Sequence, residues 1–402
     1  MATSKVELRT ASFDDPALSE DLLVRLWAGQ RFPASALATA SGVPLRVLHP
    51  GRRGRGAGPD FRDALIAPPS GRLLRGDVEL HVRAADFHVH GHDGDHAYDR
   101  VVLHVVFESG GVPETRLASG RRVPVVALAA WVRRRAQELS GWLASPPLWR
   151  EPCADAIARL GRDGVLRELA ALGDTRFADR EASLSEAIAE GGPAGALYGA
   201  LLEALGYGGA RALMAHVAGA LPWARLEAAL AAAPAPDRAR VAEALLLDAA
   251  SGGIAAVVRP ANHPARRLAG LAVLLARHRP LGEVTVEGGP AELIAAWTAG
   301  RRTGERGAPI GPGRAIELLA NAVLPWRAAR CEAQGDGPGA AAARTAFAAL
   351  PAPDRYGKLA FLEANLSEDG RPLRLDARGR QGLLALYKSE CTQGGCGRCV
   401  LS

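Results

Sequence analysis

The 402-residue sequence lacks a long apolar run. No window reaches the roughly 18 consecutive apolar residues of a membrane-spanning helix. The first twenty residues also lack a basic start followed by an apolar stretch. These absences exclude a helical membrane protein and a secretory leader from our expectation. We therefore expect a cytoplasmic protein with no membrane partner.

Lysine is also scarce. Lys5, Lys358 and Lys388 are the only lysines among 49 basic residues, so nearly all of the positive charge is arginine. A net charge of +6 is compatible with a DNA or RNA partner, because excess cations attract polyphosphate. An arginine-rich overall composition explains the same charge, and the charge alone leaves nucleic-acid binding open.

Aromatic residues make up only 5% of the chain, but a 48% hydrophobic fraction is sufficient for the cores of two or three domains. A helical pattern at 17–30 is followed by strand-like segments, and Ala/Leu-rich helical periodicity follows Pro146 and Pro147. The strand-like segments are 44–49, 60–67, 73–83, 100–108 and 122–128. We predict an α+β fold, with a mixed-sheet domain over 1–145 and an α-helical domain over 146–402.

Histidine is concentrated in one part of the chain. Six of the ten histidines fall within 81–104, namely His81, His88, His90, His92, His96 and His104. The segment FHVHGHDGDH interleaves them with aspartates, which places many metal-binding lone pairs in one loop. We predict His90, His92 and Asp95 as metal ligands; the alternative is a solvated polar loop.

The strand-like segment GDVELHV carries two further polar groups. Side chains alternate along a strand, so Glu79 and His81 share one face while Val78, Leu80 and Val82 take the core face. A hairpin through APPSGR brings Asp60 beside Glu79, where two carboxylates repel unless a divalent cation lies between them. The alternatives are a turn role for Asp60 and an exposed edge position for Glu79.

Two residues are candidates for supporting roles behind these ligands. His104 lies in the apolar segment RVVLHVVF, where we expect Val102 and Val106 on its own face. We expect His104 to be a buried, hydrogen-bonded histidine; the alternative is that His104, like Tyr98, supports the ligands from behind rather than binding the metal.

The order Pro59-Asp60, strand, Glu79-x-His81 resembles the PD-(D/E)XK nuclease superfamily, with His81 in place of the family lysine. The resemblance implies a restriction-endonuclease-like core. It also implies that Asp60 and Glu79 hold Mg²⁺ or Mn²⁺ while His81 orients or deprotonates the attacking water during hydrolysis of a nucleic-acid backbone. Arg52, Arg53 and Arg55 are then candidates for gripping phosphates.

A longer pattern resembles the bacterial family catalogued as domain of unknown function 2851. The pattern consists of GPDF at 58–61, GDVELH at 76–81, Asp86, Phe87, His90, His92, Asp95, Tyr98 and LHVV at 103–106. It continues through Cys153, 259–272, Asn321 with Pro325, and Gln381-Gly382. This resemblance marks which residues matter and implies no particular activity.

Three of the five cysteines lie in the last twelve residues, with C-x4-C-x2-C spacing at Cys391, Cys396 and Cys399. Three thiolates at that spacing reach a single zinc ion or an iron–sulfur cluster. We predict Cys153 as the fourth ligand, with Cys331 as the second choice. The alternative is a set of unliganded thiols.

Three classes of function remain open at this point. The first is a metal-dependent nuclease or related phosphodiesterase that uses Asp60, Glu79 and His81. The second is a metallohydrolase acting on a small molecule through His90, His92 and Asp95, for which zinc is a natural metal. The third is a non-catalytic nucleic-acid-binding or scaffold protein.

Overall fold

A computed structural model describes most of the chain. The described residues are 20–30, 37–54, 58–134, 151–207, 210–251, 263–300, 308–368, 371–393 and 399–402. The described parts of Met1–Ala154 and Tyr387–Ser402 form one compact unit, here called the sheet unit, and those of Asp155–Leu386 form a second, the helical unit. The predicted domain boundary at 145–146 lies outside the described residues.

The sheet unit contains a short helix followed by strands. The helices are α1 (Glu20–Gly29), α2 (Asp86–Val89) and α3 (Ala129–Arg134). The strands are β1 (Leu37–Ala38), β2 (Pro44–His49), β3 (Arg52–Arg53), β4 (Phe61–Ala67), β5 (Leu74–Arg83), β6 (Val101–Glu108), β7 (Glu114–Arg116) and β8 (Arg122–Ala127). A mixed α/β region is therefore followed by a helical one, which confirms the coarse fold prediction.

The sheet has the order β1-β2-β4-β5-β6-β8-β7, with β3 paired to β4. Strands β2, β4 and β5 are antiparallel, whereas β5, β6 and β8 are parallel. Thr39 next to β1 forms an antiparallel bridge with Val126 in β8, so the sheet curls back toward its own start. Curling of this kind follows from the right-handed twist of the strands.

One face of the sheet packs against α1. Leu23, Leu26 and Trp27 are buried there against Val78 and Leu80 of β5. Each such side chain contributes about 1.5–3 kcal/mol to folding relative to an exposed one. The predicted helix is confirmed over Glu20–Gly29, and this contact fixes which face of β5 is left for polar side chains.

The polar face of β5 carries Asp77, Glu79 and His81, all buried. On the neighbouring strand Glu79 pairs with His104, but the register shifts just before it, where Asp77 pairs with Val101 and Val78 with Leu103. The extra residue, Val102, joins the apolar face with α1. The expectation that Val102 shares the face of His104 is therefore wrong, because a bulge interrupts the alternation.

The helical unit consists of helices and one small hairpin. Its elements are α4 (Ala156–Leu205), α5 (Arg211–Ala220), α6 (Trp223–Ala232), α7 (Arg238–Ala249), α8 (Pro264–Arg277), α9 (Pro290–Ala296), α10 (Pro312–Leu318), α11 (Leu324–Ala333), α12 (Gly337–Ala349), α13 (Ala360–Asn365), β9 (Ser367–Glu368), β10 (Arg371–Pro372) and the part of α14 (Ala377–Ser389) up to Leu386. The backbone of α4 is not helical at Gly161 and Gly192, which divide it into shorter helices. A π-helical turn, Leu319–Val323, joins α10 to α11. Among the described residues, no helix combines the length and apolar character needed to cross a bilayer.

Helices α4 and α14 approach each other closely within the helical unit. A Cβ atom at Gly382 would lie 1.8 Å from the carbonyl oxygen of Leu169, and one at Gly173 would lie 2.2 Å from that of Arg378. Only glycine fits at such contacts. Gly382 therefore holds the neighbouring Gln381 against α4.

Candidate metal centre

Asp60 and Glu79 are linked through the β4–β5 pairing. Phe61 is opposite Val78, which places Asp60 opposite Glu79. The backbone N–H of Asp60 donates to Glu79 Oε2 at 3.0 Å, and that of Leu80 donates to Asp60 Oδ2 at 3.0 Å. Each carboxylate thus has one oxygen fixed by a backbone donor. The structure brings these two predicted residues together.

His81 belongs to a chain of polar contacts that reaches β7. His81 Nδ1 lies 3.0 Å from His104 Nε2, and His104 Nδ1 lies 2.7 Å from Thr115 Oγ1. If Thr115 accepts from His104 and His104 accepts from His81, the Nε2 lone pair of His81 faces the site. Such contacts behind a ligand fix its tautomer and ring orientation.

The loop after β5 supplies two more imidazoles. Helix α2 is anchored by Phe87, whose buried ring makes edge contacts with His81 and His92. Gly91 has φ +74°, a left-handed conformation that glycine adopts without strain and that turns the chain between His90 and His92. His81 Nε2 lies 3.1 Å from His90 Nδ1.

His81, His90 and His92 converge, and we call them the histidine cluster. One ligand atom from each lies within 4.8 Å of the other two. Glu79 Oε1 lies 3.5 Å from His92 Nε2 and 3.8 Å from His81 Nε2. Tetrahedral coordination at about 2.1 Å separates neighbouring donor atoms by about 3.4 Å. The three imidazoles therefore converge on one point, and Glu79 lies beside two of them.

Burial controls the protonation of these groups. It raises the pKa of Glu79 to about 8, with a further contribution from Asp60, and it also raises the pKa of Asp60. Burial lowers the pKa of His81 to about 4, and His92 and His90 add to that shift. At neutral pH the His81 imidazole is therefore neutral, the form that binds metals, while the carboxylate of Glu79 needs a cation to ionise fully.

Tyr98 and His104 lie behind the ligands, and Asp95 lies beside them. The Tyr98 ring stacks on His92 with centroids 4.0 Å apart, and burial raises its pKa to about 12. Asp95 is exposed, and its carboxylate accepts a hydrogen bond from the backbone N–H of Ala97 at 2.8 Å. The structure thus places Asp95 as the cap of a short 3₁₀ turn, next to the histidine cluster but not in it.

Glu20 is a candidate site residue that sequence reasoning missed. It opens α1 and lies close enough to His90 and Asp60 for their charges to act on its pKa, which is raised chiefly by burial. In the sequence, an acidic residue in the first turn of a helix is typical of interaction with the helix dipole. Nothing in the pattern links it to strands forty residues later.

The arginines before β4 occupy different environments. Arg53 is exposed and lies close enough to Asp60 for its charge to lower the pKa of that carboxyl slightly against the effect of burial. Arg52 is 10% exposed and pairs with Glu151 at 3.2 Å and with Asp63 at 3.8 Å. Arg55 lies outside the described residues. Of the three predicted phosphate contacts, Arg53 is placed beside the centre and Arg52 is already paired with carboxylates.

Asp63 belongs to a second polar network of the sheet unit. Its Oδ1 accepts from Arg100 Nη2 at 3.0 Å, and its Oδ2 accepts from the Tyr387 hydroxyl at 3.0 Å. The backbone N–H of Asp63 donates to Asp77 Oδ1 at 3.1 Å. Both oxygens of the Asp63 carboxylate therefore have partners within the sheet unit.

The predicted cysteine ligands lie partly within the described chain. Cys153, Cys391 and Cys399 belong to the sheet unit and form no disulfide. Burial raises the pKa of Cys391 to about 12, and Cys153 and Cys399 are close enough to add to that shift. Cys396 lies outside the described residues, and Cys331 belongs to the helical unit, where its thiol is hydrogen-bonded to Asp336.

Comparison with known proteins gives one result. The family described as "Protein of unknown function (DUF2851)" matches residues 20–251, which is more than half of the chain. The chain belongs to this family, as the sequence pattern predicted. No curated protein and no solved structure matches it. The matched region contains the histidine cluster and both carboxylates.

Proposed function

We propose that this chain is a metal-dependent hydrolase that cleaves phosphodiesters of a nucleic-acid backbone. The observation that carries the proposal is the convergence of the histidine cluster and Glu79 beside Asp60. Neutral imidazoles together with carboxylate oxygens suit manganese or zinc better than magnesium. The proposed metal therefore differs from the Mg²⁺ typical of the nuclease superfamily.

The order of elements supports the nuclease class. Helix α1 precedes antiparallel strands that carry Asp60 and then Glu79 and His81, and β6 runs parallel to β5. This is the order that the resemblance to the PD-(D/E)XK superfamily implies. His81 in the lysine position is neutral at pH 7 and sits between His104 and His90, which suits a metal ligand better than a free base.

The residues of the candidate centre would have three different roles. His81, His90, His92 and Glu79 would hold the ion, which when bound supplies Lewis acidity and a water of lowered pKa. Asp60 has one oxygen fixed by the Leu80 N–H, and its pKa is raised by burial, so its other oxygen is suited to accept the proton of the attacking water. Arg53, next to Asp60, would contact the phosphate.

A second candidate is a zinc hydrolase acting on a small molecule. The observation that favours it is the donor set itself, because three imidazoles are typical of zinc sites with an open coordination position. His90 is the most exposed of the three, so the centre opens toward solvent there. Substrate choice separates the two candidates.

The test is a hydrolysis assay on metal-stripped protein reloaded with Mn²⁺, Zn²⁺ or Mg²⁺. We expect cleavage of fluorescent DNA or RNA oligonucleotides with Mn²⁺ or Zn²⁺, and its loss in His81→Ala. His96→Gln is the matched control, because His96 lies in the same loop, is 82% exposed and pairs with Asp99. Cleavage that is absent with every metal, or that is unchanged in His81→Ala, contradicts the proposal and favours a binding or scaffold role.

A separate proposal concerns the cysteines of the sheet unit. Cys153, Cys391 and Cys399 would hold a zinc ion or an iron–sulfur cluster. Burial raises the pKa of Cys391, so its thiol would lose a proton when the metal binds. Anaerobic purification followed by metal analysis and visible absorbance distinguishes the two. A folded protein with no metal at these thiols contradicts both.

A further inference from the structure

An open pocket of about 480 Å³ in the helical unit is lined chiefly by arginine. Its lining residues are Arg162, Glu368, Arg371, Pro372 and Arg374. A cavity of this volume lies within the range of small-molecule sites, roughly 300–1,000 Å³. The lining of such sites is usually apolar, whereas four of these five side chains are charged. Charge, rather than apolar burial, should therefore decide what binds in this pocket.

The β9–β10 hairpin brings two of the arginines to the pocket. Arg371 of β10 pairs with Glu368 of β9, so these two residues lie directly opposite each other. Farther along the chain, Leu373 and Leu375 are buried on either side of exposed Arg374. This alternation of buried and exposed residues is typical of extended chain beside a core. The hairpin is thus held by its leucines, and its arginines are left at the surface.

Helix α4 supplies the third arginine. Gly161 has φ +69°, a left-handed conformation that interrupts the helix, and helical backbone resumes at Arg162. Arg162 Nη1 lies 3.3 Å from Glu368 Oε2, and both side chains are 48% exposed. This contact joins the helix to the hairpin beside the pocket. An exposed ion pair with a single contact is weak, so an incoming anion can replace it.

The other two arginines have no such partner. Within the described chain, the side chains of Arg371 and Arg374 make no hydrogen bond or ion pair. Elsewhere in the helical unit an exposed arginine meets a carboxylate, as Arg240 does with Asp237 at 3.3 Å. Arginine stays protonated at physiological pH, so the pocket presents three cations beside one lining carboxylate.

The donors of this pocket suit a phosphoryl ligand. A guanidinium offers five N–H donors in a rigid fork that matches two oxygens of one phosphoryl group. Two guanidiniums with no partner therefore match an anion that has several oxygens and more than one negative charge. None of the described residues that line the pocket is aromatic, so the stacking that holds a nucleobase is missing. Recognition would be directed at phosphoryl groups rather than at a base.

We propose that Arg162, Arg371 and Arg374 bind two neighbouring phosphoryl groups of one molecule. Arg371 and Arg374 would each receive one phosphoryl group, and Arg162 would turn from Glu368 toward the ligand. Glu368 then opposes binding, because its carboxylate repels the anion and competes for Arg162. This site lies within the helical unit and does not rest on the proposed hydrolase function.

Isothermal titration of the full chain with sodium pyrophosphate tests this site, at low ionic strength because salt screens exposed charges. We expect saturable binding that is at least about tenfold weaker in Arg371→Gln and in Arg374→Gln, since each loses charge-assisted hydrogen bonds. Glu368→Gln removes the competing carboxylate and should instead tighten binding, by up to about fivefold. General damage to the hairpin would weaken binding in all three variants.

Two controls accompany these variants. Arg240→Gln is the matched control, because Arg240 is 78% exposed and does not line the pocket. His81→Ala removes a proposed metal ligand of the sheet unit and should leave pyrophosphate binding unchanged, which distinguishes failure of this proposal from failure of the hydrolase. The proposal is overturned if pyrophosphate does not bind, if Arg240→Gln weakens binding as much as Arg374→Gln, if Glu368→Gln weakens it, or if His81→Ala abolishes it.

Competing ligands identify the source of the phosphoryl groups. An oligonucleotide without terminal phosphates that displaces pyrophosphate assigns the site to a nucleic-acid backbone, and one that fails to displace it assigns the site to a small diphosphate. Inorganic phosphate has a single phosphoryl group and should bind at least about tenfold more weakly than pyrophosphate. Equal affinity for phosphate and pyrophosphate would contradict recognition of a pair.

Discussion

In the sheet unit, Glu79 and the imidazoles of His81, His90 and His92 converge as lone-pair acceptors. In the helical unit, the Glu317 carboxylate accepts hydrogen bonds from the Tyr356 hydroxyl, Asn321 and Gln381, and the amide oxygens of Asn321 and Gln381 hold Arg176. Burying charged or polar groups costs folding free energy unless they find partners. The two networks differ in this respect, because the first gathers acceptors around one point whereas the second supplies its carboxylate with donors.

The Asp63 network is the useful third case. Asp63 and Asp77 meet Arg100, Arg52 and the Tyr387 hydroxyl, so both carboxylates have partners within the protein. Arg52 also pairs with Glu151. The Asp63 network thus mixes carboxylates with cations, whereas the histidine cluster gathers imidazoles beside Glu79 and Asp60. A strongly shifted pKa in a group of the second kind is typical of a functional site.

Removing the shared carboxylate of the metal centre should have the largest effect. Glu79→Gln keeps the size of the side chain but loses the anionic oxygen that faces His81 and His92. We expect hydrolysis to fall by more than about 100-fold, because losing a ligand should cost more than the roughly 10–100-fold of changes behind one. Single-turnover assays at saturating Mn²⁺ measure it, and unchanged cleavage would remove Glu79 from the centre.

Metal affinity should depend steeply on pH. The pKa of Glu79 is about 8 in the metal-free fold, so binding below pH 8 displaces one proton, and affinity should fall about tenfold per pH unit. Titrations with Mn²⁺ at pH 8, 7 and 6 measure the slope, and Glu79→Gln should flatten it. An equal affinity at all three values would contradict the raised pKa.

The same shift has a consequence for stability. Because the folded pKa of Glu79 lies above its ordinary value of 4.5, its contribution to stability is full below that value and is lost as pH rises through about 8. The metal-free protein should therefore lose stability between these two limits, and Mn²⁺ should restore it. Thermal unfolding with and without the ion at pH 8 measures the difference.

Crowding the contact between α4 and α14 should lower the free energy of unfolding without changing any charge. In Gly382→Ala the new Cβ would meet the Leu169 carbonyl oxygen at 1.8 Å, so α4 and α14 must shift. We expect a loss of about 3 kcal/mol in urea unfolding. Gly219→Ala is the control: its Cβ meets nothing within 4 Å, and the added helix propensity should stabilise the protein by up to about 1 kcal/mol.

Removing the hydrogen-bond partner of His104 behind the histidine cluster should have a smaller effect on metal binding. Thr115→Val removes the partner of His104 Nδ1, 2.7 Å away, and so frees the tautomer of His81. Metal affinity should fall about tenfold, as for other changes behind a metal ligand. The same substitution at exposed Thr345 is the control, and equal effects at both positions would rule out a role for the contact chain.

A change in the Asp63 network should give the smallest effect. Tyr387→Phe removes one hydrogen bond to Asp63 and should lower the free energy of unfolding by about 1 kcal/mol. Metal affinity should not change, because Asp63 already has Arg100 as a partner. A clear loss of metal binding would mean that the two networks of the sheet unit are coupled.

Much of the sheet unit could be predicted from its sequence. Alternation along GDVELHV placed Glu79 and His81 on one face, and the apolar spacing of α1 gave its buried side, because both depend only on local periodicity. The bulge at Val102 could not be predicted from the sequence, because it depends on how β6 pairs with β5. Glu20 was missed for the same reason.

Less of the helical unit could be predicted from its sequence. Ala/Leu periodicity identifies helices but not which helices pack together, so the meeting of Arg176, Asn321 and Gln381 from three distant segments was invisible. A glycine inside a helix ordinarily weakens it, but Gly382 is the point of closest contact with α4. Long-range packing decides such positions.

The sequence by itself determined the inventory: six histidines close together, an Asp and a Glu-x-His strand, and almost no lysine. Local periodicity then fixed which side chains share a face. Only the tertiary structure decided that His81 joins His90 and His92 while Asp95 turns away to cap a helix. It alone also decided that Arg176 is held by amides, because convergence depends on the geometry of chain segments that the sequence does not relate.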